Sequence, residues 1–415
     1  MPDTPPWLVP ALSWSTIHLL TGLTVTFTTR TSPLRILTAA TTFLLAYILQ
    51  INVKAHYHGT PPSGPLVAMT WVSVLNGIDL LLLSRVDWKR QTDYTLSRKK
   101  KKDDDKKGDS LGLSDKILFA LQIPLNYRRI NTPWAISRLP SFDSKNPSYI
   151  PSKSTFLSRG LLTLLITFAF VAIIPLDPDN PYIEATLSTL NTKPSLLALP
   201  LRSLTDTLEK NTASLLLQAR YTLSFATVTR ATILATYTLL SVLAVLLGSD
   251  PSSWPPVFAG IGEASSLRGL WGQSWHQLFR RPFTAPATHL LSFLGIPPSS
   301  SVSHWTRIVV AFVGSGIIHA LCDIGFGVSW EESGGLLFFT LQIPGLIIES
   351  IAGSLGDKVG LRRDGGLRKG LGYIWVAGYL LWSAPLWINP ILVSIAKDGT
   401  KVMSPWFGLR PEWFH

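Results

Sequence analysis

Eight stretches of this chain are apolar for long enough to cross a bilayer, and no other feature restricts its fold so severely. They lie at about 7–28, 34–52, 65–84, 156–176, 221–247, 305–325, 334–353 and 371–395. A helix needs about 20 apolar residues to span a hydrocarbon core. The expected fold is therefore all-α: a polytopic transmembrane helix bundle of about eight spans. A bundle sharing one bilayer reads as a single membrane domain over residues 1–415. One stretch near 265–290 is too polar for a span and reads as re-entrant or interfacial.

The composition agrees. Only 15% of the 415 residues are charged and 46% are hydrophobic, whereas a soluble domain carries roughly 25% charged residues. The mean hydropathy is +0.27. The net charge of +12 does not point to nucleic acid, because the basic residues fall in loops between apolar stretches. They fit the positive-inside rule and attraction to anionic membrane lipid. Residues 86–155 hold 15 Lys and Arg against 8 Asp and Glu, so this loop is expected in the cytosol. Eight spans then put 248–304 and 354–370 on the same side and both termini in the lumen. The short loop near Asp323, Glu331 and Glu332 falls on the opposite side. Residues 177–220 fit least well, since this lumenal loop carries Lys193, Arg202, Lys210 and Arg220. Trp7 to Thr28 lacks a basic leader and reads as the first span rather than a cleavable signal.

Residues 98–110, RKKKKDDDKKGDS, are expected to form a disordered, charged cytosolic loop. The single cysteine, Cys322, excludes an intramolecular disulfide framework. It reads as a small buried residue, although its nearness to His319 raises a catalytic role.

His319 stands alone in the apolar run Ile308–Leu321, one turn after Gly314, Ser315 and Gly316. An ionisable residue at membrane depth faces a cavity or a partner helix, because lipid would exact a large penalty. Small residues before it let a helix or a ligand approach closely. A desolvated imidazole stays neutral and can take a proton from an attacking alcohol. The structural alternative is a histidine hydrogen-bonded between helices.

Leu267 to Gln277 reads LRGLWGQSWHQ and is followed by Arg280-Arg281-Pro282-Phe283. Trp271 and Trp275 are four apart and share a helical face, which suits an interface. Arg268, Arg280 and Arg281 could bind the phosphates of a CoA-type donor or anionic headgroups. His276 could donate to a developing oxyanion, or be an ordinary interfacial histidine. A third segment, Asn126-Tyr127-Arg128-Arg129-Ile130-Asn131-Thr132-Pro133-Trp134, pairs two arginines with an aromatic. Guanidinium forks match phosphate oxygens; general cytosolic basicity with Trp134 at the interface explains the segment equally well. His56 and His58 have no further metal ligands nearby, so no metal site is expected.

These residues resemble the wax-synthase-like branch of the membrane-bound O-acyltransferase superfamily. In that branch a segment S/D-L-R-x-F-W-G-R-x-W-H/N precedes a span with a histidine in an S-G-x-x-H setting. Ser266–Gln277 and Ser315–His319 match these two elements. Asn126–Trp134 resembles a third, N-x-R-G-I-G-T-x-W, with Arg129, Asn131 and Pro133 departing from it. The chain is similar to fungal acetyltransferases of terpenoid and meroterpenoid pathways. The resemblance implies an acyltransferase-like catalytic region over 120–350, with His319 as the catalytic histidine and His276 at a position often held by asparagine. It implies acyl-CoA binding by Arg268, Trp271, Trp275, Gln277, Arg280 and Arg281, and by Asn126, Arg128 and Trp134. Acetyl-CoA or another acyl-CoA would be a co-substrate, with no bound cofactor. The acceptor would be a lipophilic alcohol, in the endoplasmic reticulum membrane. A long-chain wax-ester or sterol-ester synthase is the rival enzyme. A proton-coupled transporter or lipid-binding membrane protein is the rival from another class, with Asp79 and Glu349 as further relay groups.

Overall fold

A computed structural model describes residues 7–57, 60, 62–102, 111–173, 208–362 and 365–397. The helices are α1 (Leu8–Phe27), α2 (Leu34–His56), α3 (Ser63–Ile78), α4 (Trp88–Lys102) and α5 (Leu113–Gln122). They continue with α6 (Lys153–Ile173), α7 (Leu208–Leu246), α8 (Arg280–Phe293) and α9 (Ser301–Gly325). The last three are α10 (Gly335–Lys358), α11 (Gly366–Ser383) and α12 (Pro385–Lys397). Two π-helical turns interrupt the regular structure, at Asp79–Leu83 after α3 and at Leu270–Ser274.

The molecule is an all-α polytopic bundle. Among the described residues, six helices are long and apolar enough to cross a membrane: α1, α2, α3 with its π turn, the Tyr221–Leu246 part of α7, α9 and α10. A seventh is α11 with Pro385–Leu392 if that pair, bent by 44°, is one span. The expected continuous run at 371–395 is broken there because proline cannot extend the hydrogen-bond ladder and restricts the residue before it. The expected span at 156–176 coincides with α6, whose described part is 21 residues long. Leu37, Phe43 and Leu44 of α2 and Leu19 and Leu23 of α1 stay exposed, as suits helices solvated by acyl chains rather than water.

Two expectations change. Residues 98–102 were expected in a disordered run, yet they close α4, in keeping with the good helix propensity of Lys and Arg. Residues 103–110 lie outside the described residues. Likewise, 208–220 belong to α7 rather than to a loop, and 174–207 lie outside the described residues.

The chain divides into two compact units. The first holds Met1–His58, Pro65–Leu139 and Leu278–Gly325. Its α1 and α2 pack together, and α5 crosses α1 at Gly22, where a Cβ would lie 1.9 Å from the Ala120 carbonyl oxygen. Arg35, at the start of α2, is fully buried and donates to the carbonyls of Val25, Thr28, Leu81 and Val86 at 2.8–3.3 Å. One guanidinium thus ties the end of α1 and the start of α2 to the turn after α3, satisfying carbonyls at largely buried positions. The α8 helix packs on α9, with Phe283 against Gly314.

The second unit holds Gly59–Gly64, Pro140–Gln277 and Phe326–His415. In it α6 packs on α7, where Gly160 makes room for Val242. Helices α10, α11 and α12 pack with one another, and α10 and α11 also touch the segment between 261 and 271.

Candidate active site

His319 lies in the first unit, on α9. Its Nδ1 is 2.7 Å from the Ser315 carbonyl oxygen, one helical turn back. A ring nitrogen facing a carbonyl must carry the proton. The neutral ring then holds its lone pair on Nε2, the tautomer a base requires. Ile318, next to it, is buried with Val72 of α3 and Tyr127, against Phe279 and Phe283. Tyr127 is fixed in turn by a 2.8 Å hydrogen bond with Ser73. The histidine therefore sits on a helix wedged between α3, α8 and the Asn126 loop.

That loop is held together by its own internal hydrogen bonds. Asn126 Oδ1 accepts from the Ile130 amide at 2.9 Å, and its Nδ2 donates to the Ile130 carbonyl at 2.9 Å. Arg129 and Asn131 have φ of 57° and 59°, left-handed values that favour glycine. These are the two positions where the resembled pattern has glycine. The turn is kept and the side chains are spent elsewhere. Arg129 is fully buried and places Nη2 3.0 Å from Asp79 Oδ2. Burial pulls its guanidinium down to about 10, with Asp79 holding it up, so it stays charged at neutral pH.

Asp79 opens the π turn after α3 and is itself 0% exposed. It also accepts from Arg281 Nε at 3.2 Å and from Ser84 Oγ at 2.5 Å, and His289 Nε2 stands 4.0 Å away. Arg281 Nη2 donates to Ser84 at 2.6 Å. Arg281, expected to face CoA phosphates, is thus turned toward a buried carboxylate. Arg280 donates to the Ser137 carbonyl at 3.2 Å. Burial lowers its pKa, and Arg138 nearby adds to the shift. Arg128 is buried, and its carbonyl accepts from Ile136. Trp134, read either as an acyl-CoA contact or as an interfacial tryptophan, is 8% exposed and packs with Val25, Leu80, Leu81 and Ile123. Arg90 lies over its ring at 5.4 Å. These residues hold one another because a buried charge must find its partners locally.

His276 belongs to the second unit. It follows a helical turn, Leu267–Gly269, that widens into the π turn Leu270–Ser274. Such turns recur at functional sites. Ser266 caps the start through the Gly269 amide at 2.9 Å. Gly269 is needed there, since a Cβ would meet the Glu263 carbonyl oxygen at 1.9 Å. Trp271 donates from its indole to Gln342 Oε1 at 3.1 Å and packs edge-on against Phe338. Trp275 is 6.0 Å from Trp271 and 6.0 Å from the His276 ring, centroid to centroid. Phe258 closes against both Trp275 and His276. Gln277 is buried and donates to the Trp275 carbonyl at 2.9 Å, so its amide braces the segment. Arg268 is exposed, and its backbone amide donates to Glu349 at 3.2 Å.

Sequence reasoning missed Gln342, Arg230 and the structural use of Glu349 and Asp79. Glu349 accepts from the Leu267 and Arg268 amides, and Arg230 Nη1 donates to the Ser274 carbonyl at 2.9 Å. The signal available was the position of three charges inside apolar helices. Both carboxylates that a proton-relay reading needs are therefore engaged in holding the structure.

Residues 254–341 match the model of the Membrane bound O-acyl transferase family. The chain is 27% identical over 293 residues to acetyltransferase aurG of Calcarisporium arbuscula, covering 69% of this chain and 68% of that protein. It is 28% identical over 382 residues to acetyltransferase spyB of Aspergillus fumigatus, covering 86% of this chain and 60% of the relative. Acetyltransferase ataH of Aspergillus terreus is 38% identical over 173 residues, 40% of this chain and 56% of its own length. No solved structure matches.

Proposed function

We propose that this chain, an acyltransferase of the membrane bound O-acyl transferase family, moves an acetyl group from acetyl-CoA to a hydroxyl of a lipophilic small molecule. Terpenoid alcohols are the acceptor class we favour, and the endoplasmic reticulum is the membrane. The observation that carries the reading is the 2.7 Å contact between His319 Nδ1 and the Ser315 carbonyl oxygen. With Nδ1 donating to Ser315, Nε2 can accept the proton of the acceptor hydroxyl as its oxygen attacks the thioester carbonyl. The tetrahedral intermediate then expels the CoA thiolate. The imidazolium returns its proton to that sulfur, giving ester and free CoA thiol.

We assign His276 of the second unit as a candidate oxyanion donor. Trp271 and Trp275 bound the reacting groups and keep water away. Arg268 and Arg280 are each candidate contacts for the phosphates of an acyl-CoA. Arg281 acts indirectly, by fixing the start of α8 through Asp79. The similarity to proteins named acetyltransferases supports the two-carbon donor.

The test is an assay of CoA thiol release by the purified chain with acetyl-CoA and a host lipid extract. Wild-type protein should release thiol and label an extractable product. His319→Ala should do neither, with an unaltered unfolding temperature. Retained turnover in folded His319→Ala protein would sink the mechanism.

A further inference from the structure

The Leu267–Ser274 segment is gripped at both ends by charges from membrane-length helices. At its start, Glu349 of α10 accepts from the backbone N–H of Leu267 and from that of Arg268, the latter at 3.2 Å. These are first-turn donors with no partner of their own in the helix. At its end, Arg230 of α7 donates to the carbonyl of Ser274 at 2.9 Å. A helical segment carries partial positive charge at its start and partial negative charge at its end. The carboxylate and the guanidinium therefore each stand at the end they stabilise. Between them, buried Gln342 holds the Trp271 indole and is itself fixed by a 3.0 Å bond to the Phe338 carbonyl.

Ionised groups within apolar helices are costly and call for a reason. We infer that Glu349 and Arg230 are a pair of positioning residues, whose opposite charges clamp the two ends of this segment and so aim Trp271, Trp275 and His276. Neither takes part in the chemistry. Two further details fit. Gly345, one turn before Glu349, leaves space for Leu267, since a Cβ there would lie 2.8 Å from its side chain. The Arg230 guanidinium lies 4.0 Å from the centre of the Phe258 ring, which in turn faces Trp275 and His276. The clamp reaches His276 from the C-terminal end both through the Ser274 backbone and through this ring.

The inference rests on the reading that His276 serves acyl transfer, and the experiment separates the two. The full chain is purified in detergent and treated with diethyl pyrocarbonate. The rate of carbethoxylation of His276 is followed by peptide mass spectrometry, beside kcat and KM for acetyl transfer. Glu349→Ala and Arg230→Ala should raise the His276 labelling rate severalfold and lower kcat, on the order of 10²-fold for an ångström-scale misplacement. Arg230→Lys keeps charge and donor and should stay close to wild type in both, whereas Glu349→Gln keeps one acceptor without the charge and should fall between wild type and alanine. If the alanine variants are not recovered folded, Arg230→Met takes their place, keeping bulk without the donor. Labelling and kcat unchanged in folded alanine or methionine variants would overturn the clamp. So would Gln and Lys variants that fall as far as the alanines. A wild-type protein without acetyl transfer would refute the function instead, and the labelling rates alone would then decide the clamp.

Discussion

Arg129 holds a left-handed backbone, φ 57°, and sends its guanidinium to within 3.0 Å of the buried Asp79 carboxylate. A position shaped for glycine has been given a long cation, and the strain of about 1 kcal/mol or more is accepted in return for an ion pair inside the first unit. Breaking a buried pair by removing one partner costs about 3–5 kcal/mol. Asp79→Ala strips the partner from Arg129 and Arg281 at once, so it should destabilise the chain by at least that much. Arg129→Gly relieves the backbone and leaves Asp79 with Arg281 and Ser84, so its loss should be clearly smaller. Thermal unfolding in detergent measures both, and equal losses would refute this apportioning.

His276→Asn should retain more acyl transfer than His276→Ala, because the amide still offers a donor. Loss of one oxyanion donor costs about 10²–10³ in kcat. Alanine should show that loss and asparagine only part of it. Identical rates for the two variants would remove His276 from the oxyanion role.

Gln342→Leu should remove the acceptor of the half-buried Trp271 indole, at a cost of about 1 kcal/mol. Stability should fall by that amount, and acyl transfer should fall with it because the ring is free to turn. Gln342→Glu keeps an acceptor for the indole but sets its second oxygen against the Phe338 carbonyl and a charge in a buried site, so it should lose at least as much stability as leucine. Activity measured alongside the melting temperature checks both variants.

Stability should also decline in mild acid through His289. Its pKa is lowered by burial chiefly, with Asp79 raising it and Arg281 lowering it further. The folded state therefore resists a proton that the unfolded chain takes up near pH 6.5. The contribution is complete above that value and is lost as pH falls through the lower folded pKa. Comparing melting temperatures at neutral pH and in mild acid should show a smaller drop in His289→Gln than in wild type.

Much of the fold was legible because apolar length is a local property. The spans expected at 7–28, 34–52 and 305–325 correspond to α1 at 8–27, α2 at 34–56 and α9 at 301–325. The last expected span is bent by 44° at Pro385, which changes direction without changing hydropathy. The isolation of His319 and the density of Trp and Arg around His276 could be seen for the same local reason. What Asp79, Glu349 and Arg230 do could not be seen. Asp79 is 50 residues from Arg129 and 202 from Arg281; Glu349 is 82 from Leu267. A charge in an apolar run announces that it has a partner, but only the folded chain says which one. Arg129 misleads from sequence for a related reason. An arginine pair suggests phosphate, while a φ of 57° and complete burial turn one member inward.

The π turn at Leu270–Ser274 bears on which mutations this chain can survive. A π turn holds one residue more than the α-turn it replaces. Deleting any one of the five would let the turn relax to α geometry and rotate everything after it by about 100° about the local axis. Glu349 would still bind the first turn, but the Ser274 carbonyl would turn away from Arg230 and His276 would face another direction. Side-chain changes in these five residues can be graded in effect; a change in their number cannot. Along this stretch, length should be the more tightly fixed character among functional descendants of the chain, ahead of residue identity.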